Sequence, residues 1–250
     1  MTRIQAHRGA SAYRPENTLE AFALAAEQGA DGIELDVHMT KDGYIVAAHD
    51  ETLDRVSNGT GYINNYTLAE LKKLNFNKTH PDGPACIIPT LDEVYALAVK
   101  TGLMLNIELK TNQFAYPEMP EKLIGMEREY NMGERVIYSS FNHYSLTALK
   151  QINPEAKTGL LYSACLVDPW VYAGYLAADA IHPHYSIIAA RPEIVSKCHE
   201  HDILVNVWTV DTPDIINNML EFGVDAVITN KPDLALECFA GRPGGRPLQI

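Results

Sequence analysis

Short runs in which apolar and polar residues alternate recur along the chain, and between most of them apolar residues return at helical spacing. The alternating or β-branched runs predict strands over 3–7, 32–37, 44–49, 103–109, 135–139, 157–162, 179–182, 203–208 and 224–229. Helices are predicted over 18–28, 91–100, 117–130, 144–152, 169–177, 192–201, 213–222 and 232–240. Asn17 with Glu20, and Thr90 with Glu93, read as capping-box starts. Asp211-Thr212-Pro213 and Asn230-Lys231-Pro232 put a polar cap beside a proline of the first turn.

Repeated βα units of this number point to a closed (β/α)8 TIM barrel ahead of an open doubly wound sheet. One strand is surplus. The runs 32–37 and 44–49 are separated by a short segment holding the Asp42-Gly43 turn signal, so they should form an antiparallel hairpin of which only the first arm joins the barrel. Residues from about 50 to 89 lack a βα rhythm and are rich in Asn, Gly, Thr and Pro, which marks an insertion. No linker divides the chain, so 1–250 is expected to be one catalytic barrel domain, with its tail, 241–250, loosely ordered.

Composition narrows the partners. The chain of 250 residues is 46% hydrophobic, enough for a sizeable core, and carries a net charge of −12, which argues against nucleic acid, since that affinity comes from Lys and Arg. Cys86, Cys165, Cys198 and Cys238 lie far apart and are expected to be reduced thiols. The absence of an apolar leader and of any run of about 18 apolar residues makes a cytoplasmic protein without a membrane span the expectation.

Alternation also places chemistry. Glu34 and Asp36 share one strand face, and Asn106, Glu108 and Lys110 share another. His7, Ser139, Tyr162, His182, Asn206 and Trp208 fall near strand C-termini, where a barrel of this kind carries its active site. Such groups could be satisfied by ion pairs alone, for instance Glu108 with Lys110 or Asp36 with Arg8. Against that, several ionisable groups converging on one mouth are costly to desolvate without a compensating charge. Glu34, Asp36 and Glu108 offer hard oxygen ligands, suited to one divalent cation, Mg²⁺ or Ca²⁺ with Mn²⁺ also compatible, rather than Zn²⁺. His7 and His49 are placed for proton transfer, His7 beside Arg8 and His49 beside Asp50. Two imidazoles, fixed cations and three carboxylates form a set suited to phosphoryl chemistry.

His7-Arg8-Gly9, Pro15-Glu16-Asn17-Thr18, Glu34-Leu35-Asp36, Thr40-Lys41-Asp42-Gly43, His49-Asp50 with Leu53-Asp54-Arg55, Pro89-Thr90-Leu91, Glu108-Leu109-Lys110 and Val207-Trp208-Thr209 occur in that order. With them the chain resembles the glycerophosphodiester phosphodiesterase family, in its compact bacterial form, over nearly its whole length. The resemblance implies hydrolysis of a small glycerophosphodiester to sn-glycerol 3-phosphate and an alcohol. It matches metal ligands to Glu34, Asp36 and Glu108, acid/base histidines to His7 and His49, and phosphate contacts to Arg8 and Lys110. Glu16 takes a supporting role, and Phe141 and Trp208 line the pocket. Asn17 has a sufficient role as a helix cap, and Trp208 equally suits core packing. Asn230 stands where Asp is more usual in the family. Two other readings are a lysophospholipase D-type enzyme, which would want an apolar groove, and a silent barrel that only binds a phosphorylated metabolite. Head group, physiological ion and oligomeric state carry no signal in the sequence.

Overall fold

Period-two alternation sends one row of each strand outward to the helices and the other into the lumen of a cylinder. The computed structural model describes residues 2–241, so the tail expectation lies, past Gly241, outside the described residues. The barrel strands are β1 (Arg3–His7), β2 (Gly32–Met39), β4 (Met104–Leu109), β5 (Val136–Ser140), β6 (Thr158–Tyr162), β7 (Ala180–Pro183), β8 (Leu204–Val207) and β9 (Ala226–Thr229). All pair in parallel, and β1 closes the ring by pairing with both β2 and β9. The surplus strand, β3 (Ile45–Ala47), pairs antiparallel with β2 as the expected hairpin.

The outward row supplies the apolar core. Ile4, Ile33, Leu105 and Val205 pack with Phe22 of α1 (Leu19–Glu27), Leu149 of α5 (His143–Ile152) and Ile216 of α9 (Pro213–Phe222) in one cluster. The inward row is polar where such barrels usually hold branched apolar side chains. Gln5, Asn106, Ser139, His182 and Asn206 are all buried. They bond to one another, with His182 Nδ1 left without a partner. Asn106 Nδ2 donates to Gln5 Oε1 at 3.2 Å, Ser139 Oγ donates to Asn106 Oδ1 at 2.8 Å, and Asn206 Nδ2 lies 2.9 Å from His182 Nε2. His182 has its room because β6 offers a glycine: a Cβ on Gly159 would lie 2.2 Å from His182 Nε2. Burial pushes His182 down to about 3, so its ring is neutral.

Three aspartates finish the opposite mouth. Asp31, Asp179 and Asp225 each accept, at 2.8 Å, the backbone N–H of Ile4, Thr158 and Val205, which leaves fewer strand-start donors unmade. The insertion carries a short 3₁₀ turn, Ile63–Asn65, and α2 (Leu68–Leu71), which starts with a Thr67/Glu70 capping box. Leu53, Val56, Ile63, Leu71, Phe76 and Ile88 form its own apolar cluster with Val46 and Ala48. These side chains are spent on internal packing.

Three local features depart from the sequence pattern. The cap of α1 is Thr18, which accepts from Ala21 N at 3.2 Å, because the Asn17 side chain is engaged elsewhere. α8 (Glu193–His199) falls within the predicted 192–201, but α7 (Tyr185–Ala190) precedes it unpredicted, ended where Pro192 keeps Arg191 out of helical geometry. α2, at four residues, is too short to show a period. None of the four cysteines is in a disulfide.

A methyl group at residue 159 must displace a buried imidazole, so Gly159→Ala should cost about 1–3 kcal/mol in urea unfolding. Stability equal to wild type would show that His182 has another place to go.

Candidate active site

Register brings the site together. β1–β2 pairing sets His7 beside Glu34, and β2–β4 pairing sets Glu34 beside Asn106 and Asp36 beside Glu108. Lys110 follows the end of β4, His49 lies just beyond β3, Phe141 follows β5 and Trp208 follows β8. All are at the C-terminal mouth. One carboxylate oxygen from each of Glu34, Asp36 and Glu108 lies within 4.8 Å of the others, and all three residues are buried.

The loop from β1 to α1 wraps this cluster. Arg8 and Asn17 both adopt left-handed backbone, at φ 56° and 55°, uncommon for a non-glycine residue and tolerated best by Asn. Arg8 N donates to Glu34 Oε2 at 3.1 Å, while its Nη1 donates to Glu16 Oε1 at 2.9 Å and its Nε lies 3.3 Å from Asp36 Oδ2. Asn17 Nδ2 donates to Asp36 Oδ2 at 2.8 Å, and Asp36 N donates back to Asn17 Oδ1 at 3.2 Å. Lys110 Nζ donates to Glu108 Oε1 at 2.8 Å and lies 3.6 Å from Asp36 Oδ1, which has no hydrogen-bond partner.

These contacts divide the carboxylates. Burial works to raise Asp36, but Arg8, Lys110 and the Asn17 hydrogen bond outweigh it and hold the carboxyl well below its usual range. Glu34 is pushed well up by burial and then by Asp36 and Glu108. Glu108 is pushed up to about 7, by burial and then by Asp36. Glu16, Glu34, Asp36, Asp50 and Glu108 meet three fixed cations, Arg8, Arg55 and Lys110, in one connected network that also touches the imidazoles of His7 and His49, so with every carboxylate ionised the fixed charges leave an excess of two negatives. That excess, the all-oxygen donor set and the unpartnered Asp36 Oδ1 fit a hard divalent cation.

The two imidazoles have different partners. His7 Nδ1 lies 2.7 Å from Asn230 Oδ1, and its Nε2 lies 4.0 Å from Glu34 Oε2. Burial, and then Arg8, push His7 down to about 4. His49 Nδ1 donates to Asp50 Oδ1 at 2.7 Å. Asp50 is lowered to about 2 because hydrogen bonds from Arg55 and His49 outweigh burial. Arg55 donates to Asp50 from Nε at 2.7 Å and to Glu16 from Nη1 and Nη2, each at 2.7 Å. His38, buried on the face shared with Glu34 and Asp36, lies 3.3 Å from the His49 carbonyl through Nε2 and steadies that loop.

An aromatic wall stands opposite. Trp208 meets Phe141 and His184 edge to face, with ring centroids 5.5 and 5.3 Å away, and its Nε1 donates to the His182 carbonyl at 2.7 Å. It lines the pocket rather than filling the barrel core. His7, Arg8, His49, Glu108, Phe141 and Trp208 border about 430 Å³ of empty space open to solvent. A larger cleft of about 1320 Å³ at the other mouth has no carboxylate cluster of this kind and no histidine in its lining.

The ten residues singled out from the sequence all fall at this mouth: nine around the carboxylate cluster and pocket, and Glu16 in the ring of charge behind Arg8. Asn17, Arg55, Asn230 and Asp211 were missed as site residues. Asn17 carried a competing signal as a cap. Arg55 stood in a quoted motif with no role assigned to it, Asp211 and Asn230 carried competing signals as polar caps, and Asn230 also its departure from the family pattern.

The glycerophosphoryl diester phosphodiesterase family model matches residues 7–234. A glycerophosphodiester phosphodiesterase of Caldanaerobacter subterraneus subsp. tengcongensis is 45% identical over 245 residues, covering 98% of this chain and 99% of that one. Among solved structures, the phosphodiesterase of Oleispira antarctica in complex with the product sn-glycerol-3-phosphate has a TM-score of 0.84 at 29% identity, covering 95% of this chain and 96% of its own. A glycerophosphodiester phosphodiesterase from Agrobacterium tumefaciens gives 0.81 at 30% identity, covering 94% and 99%. The match runs from the first histidine of the mouth into the last described helix, and on it the chain belongs to the glycerophosphoryl diester phosphodiesterase family and is an enzyme that hydrolyses phosphoric diesters.

Proposed function

We propose that the enzyme is metal-dependent and hydrolyses small glycerophosphodiesters to sn-glycerol 3-phosphate and an alcohol, with His7 and His49 as its proton-transfer groups. The observation that carries the reading is the meeting of three carboxylates within 4.8 Å beside two imidazoles with unlike partners. Mg²⁺ or Ca²⁺, with Mn²⁺ also compatible, would be held by Glu34, Asp36 and Glu108 and would supply neutralisation of phosphate charge. Arg8 and Lys110 add fixed positive charge beside the same point. Phe141 and Trp208 offer an apolar face to the glycerol carbons.

His7 faces a neutral amide oxygen and His49 faces a carboxylate. A carboxylate partner favours the imidazolium and a neutral one does not, so His49 is assigned as the acid and His7 as the base. The nucleophile, water or the neighbouring glycerol hydroxyl, loses its proton to His7 Nε2 as its oxygen bonds to phosphorus; the glycerol route gives a cyclic phosphate, which a water must then open to reach sn-glycerol 3-phosphate. The bond from phosphorus to the alcohol oxygen breaks, and that oxygen takes the proton of His49 Nε2. Arg55 touches no substrate in this scheme. It holds Asp50, and through it His49, against Glu16. The insertion buries Leu53, Val56, Ile63, Leu71, Phe76 and Ile88 in its own cluster and leaves Tyr62 and Ile87 exposed, too few to form an apolar groove, which favours a small substrate over an acylated one.

Chelator should abolish release of glycerol 3-phosphate from a panel of glycerophosphodiesters, and added Mg²⁺, Ca²⁺ or Mn²⁺ should return it; turnover indifferent to chelator refutes the metal. Release of choline from glycerophosphocholine should exceed that from lysophosphatidylcholine.

Glu108, raised to about 7, holds its proton at pH 6 and has lost it at pH 8 in metal-free protein. An ion must displace that proton in acid, so metal affinity falls as pH drops through about 7. The rise in thermal midpoint on adding Mg²⁺ should therefore be larger at pH 8 than at pH 6, and the opposite order would overturn the assignment of Glu108.

His49→Ala should lower kcat by about 10²-fold or more. Arg55→Ala should lower it by about 10-fold with little change in KM, and near wild-type kcat would remove Arg55 from the positioning of His49.

A further inference from the structure

We infer that Asp211 selects the tautomer of His7 by fixing the orientation of the Asn230 amide, which makes Asp211 and Asn230 positioning residues for proton transfer. The inference rests on the reading of His7 as proton acceptor. Asp211 follows β8 and touches neither the pocket lining nor the carboxylate cluster. Its Oδ1 accepts from Asn230 N at 2.8 Å and from the Thr229 hydroxyl at 3.0 Å, and its Oδ2 accepts from Asn230 Nδ2 at 2.5 Å. A carboxylate has lone pairs only, so the Asn230 atom facing it must be the NH₂ group. The amide oxygen is thereby turned to His7 Nδ1, 2.7 Å away, and the Ser11 hydroxyl, 2.7 Å from both that oxygen and the His7 carbonyl, shares its one hydrogen between them.

That oxygen can only accept. His7 Nδ1 must therefore carry the hydrogen, and in the neutral ring the lone pair is left on Nε2, on the side of Glu34 and the pocket. A flipped amide would do the reverse. It would set NH₂ against Nδ1, move the lone pair there, and leave Nε2 protonated and unable to accept. The flip is opposed at the far end, where it would set the amide oxygen against the Asp211 carboxylate. The side chain that decides which nitrogen of His7 carries the hydrogen is thus two hydrogen bonds away from it.

The test reads the tautomer directly. With histidine labelled in ¹⁵N and Mg²⁺ present, the His7 signals, assigned by their loss in His7→Gln, should show a protonated Nδ1 and a bare Nε2. Asp211→Ala frees the Asn230 amide to rotate, so its His7 should shift toward the Nε2-protonated form and kcat should fall by about 10-fold with KM changed less than about twofold. Asn230→Asp alone sets two carboxylates against each other and should be impaired as well. The double exchange Asp211→Asn with Asn230→Asp restores an NH₂ donor facing a carboxylate and an acceptor facing Nδ1. It should return the Nδ1-protonated form, while kcat recovers only in part because His7 then faces a carboxylate in place of an amide oxygen.

An unchanged His7 tautomer in Asp211→Ala overturns the inference, whatever the activity. So does a double exchange that folds yet keeps the Nε2-protonated form. If Asp211→Ala does not fold, the near-isosteric pair carries the test. A switched tautomer with unchanged turnover upholds the relay and instead removes His7 from the acceptor role, as would full turnover in His7→Gln.

Discussion

Three buried carboxylates that must share one point set the terms for the rest of the mouth. Left alone they would repel one another and lose their hydration at a cost of several kcal/mol each. Arg8, Asn17 and Lys110 answer this by converging on Asp36, which is ionised, while Glu34 and Glu108 are raised by their own crowding. The compensation is unequal and incomplete. An arrangement that cancelled every charge would be an ion-pair network, stable and inert, whereas the remaining excess makes the cluster attractive to a cation. The same demand explains the loop after β1. Arg8 reaches Glu34 with its backbone and Asp36 with its side chain only by entering left-handed φ space.

The two imidazoles show how partners, more than position, divide labour in the proposed reaction. Both stand beside the cluster, and both offer Nδ1 to an oxygen at 2.7 Å. One oxygen belongs to an amide whose negative charge has been moved a residue further out, to Asp211, and the other to a carboxylate clamped by Arg55. A charge in contact with a ring favours its cation; the same charge relayed through an amide orients the ring while contributing less to that cation. Acid and base roles are thus separated without any difference in residue type.

Much of this was legible in the sequence because period-two alternation needs no tertiary partner to be seen. It located eight barrel strands and the hairpin, and it put Glu34 with Asp36 and Asn106 with Glu108 on common faces. What escaped depends on partners distant along the chain. Asn17 looked like a cap since Asn and Thr both cap well, and only Asp36, nineteen positions away, decides that Thr18 does it. Arg55 sits in a segment without periodicity, and one of its two partners is 39 positions away. The six residues of α7, starting straight after β7, were too few to show a helical period.

A polar lumen also moves the source of stability. With Gln5, Asn106, Ser139, His182 and Asn206 inside, the barrel's apolar core is the shell between strands and helices, and the lumen is held by hydrogen bonds that a misfit side chain would break. The site draws on two apolar clusters as a result. Glu34, Asp36, Glu108 and His7 are carried on strands whose outer faces belong to the shell, whereas Asp50 and Arg55 are carried by the insertion, where Leu53 and Val56 anchor the chain on either side of Arg55. His49 stands where the two meet, tied to the insertion through Asp50 and to β2 through His38. Loosening the insertion's cluster would therefore act first on the limb that orients His49, leaving the carboxylates and His7 on strands that do not depend on it.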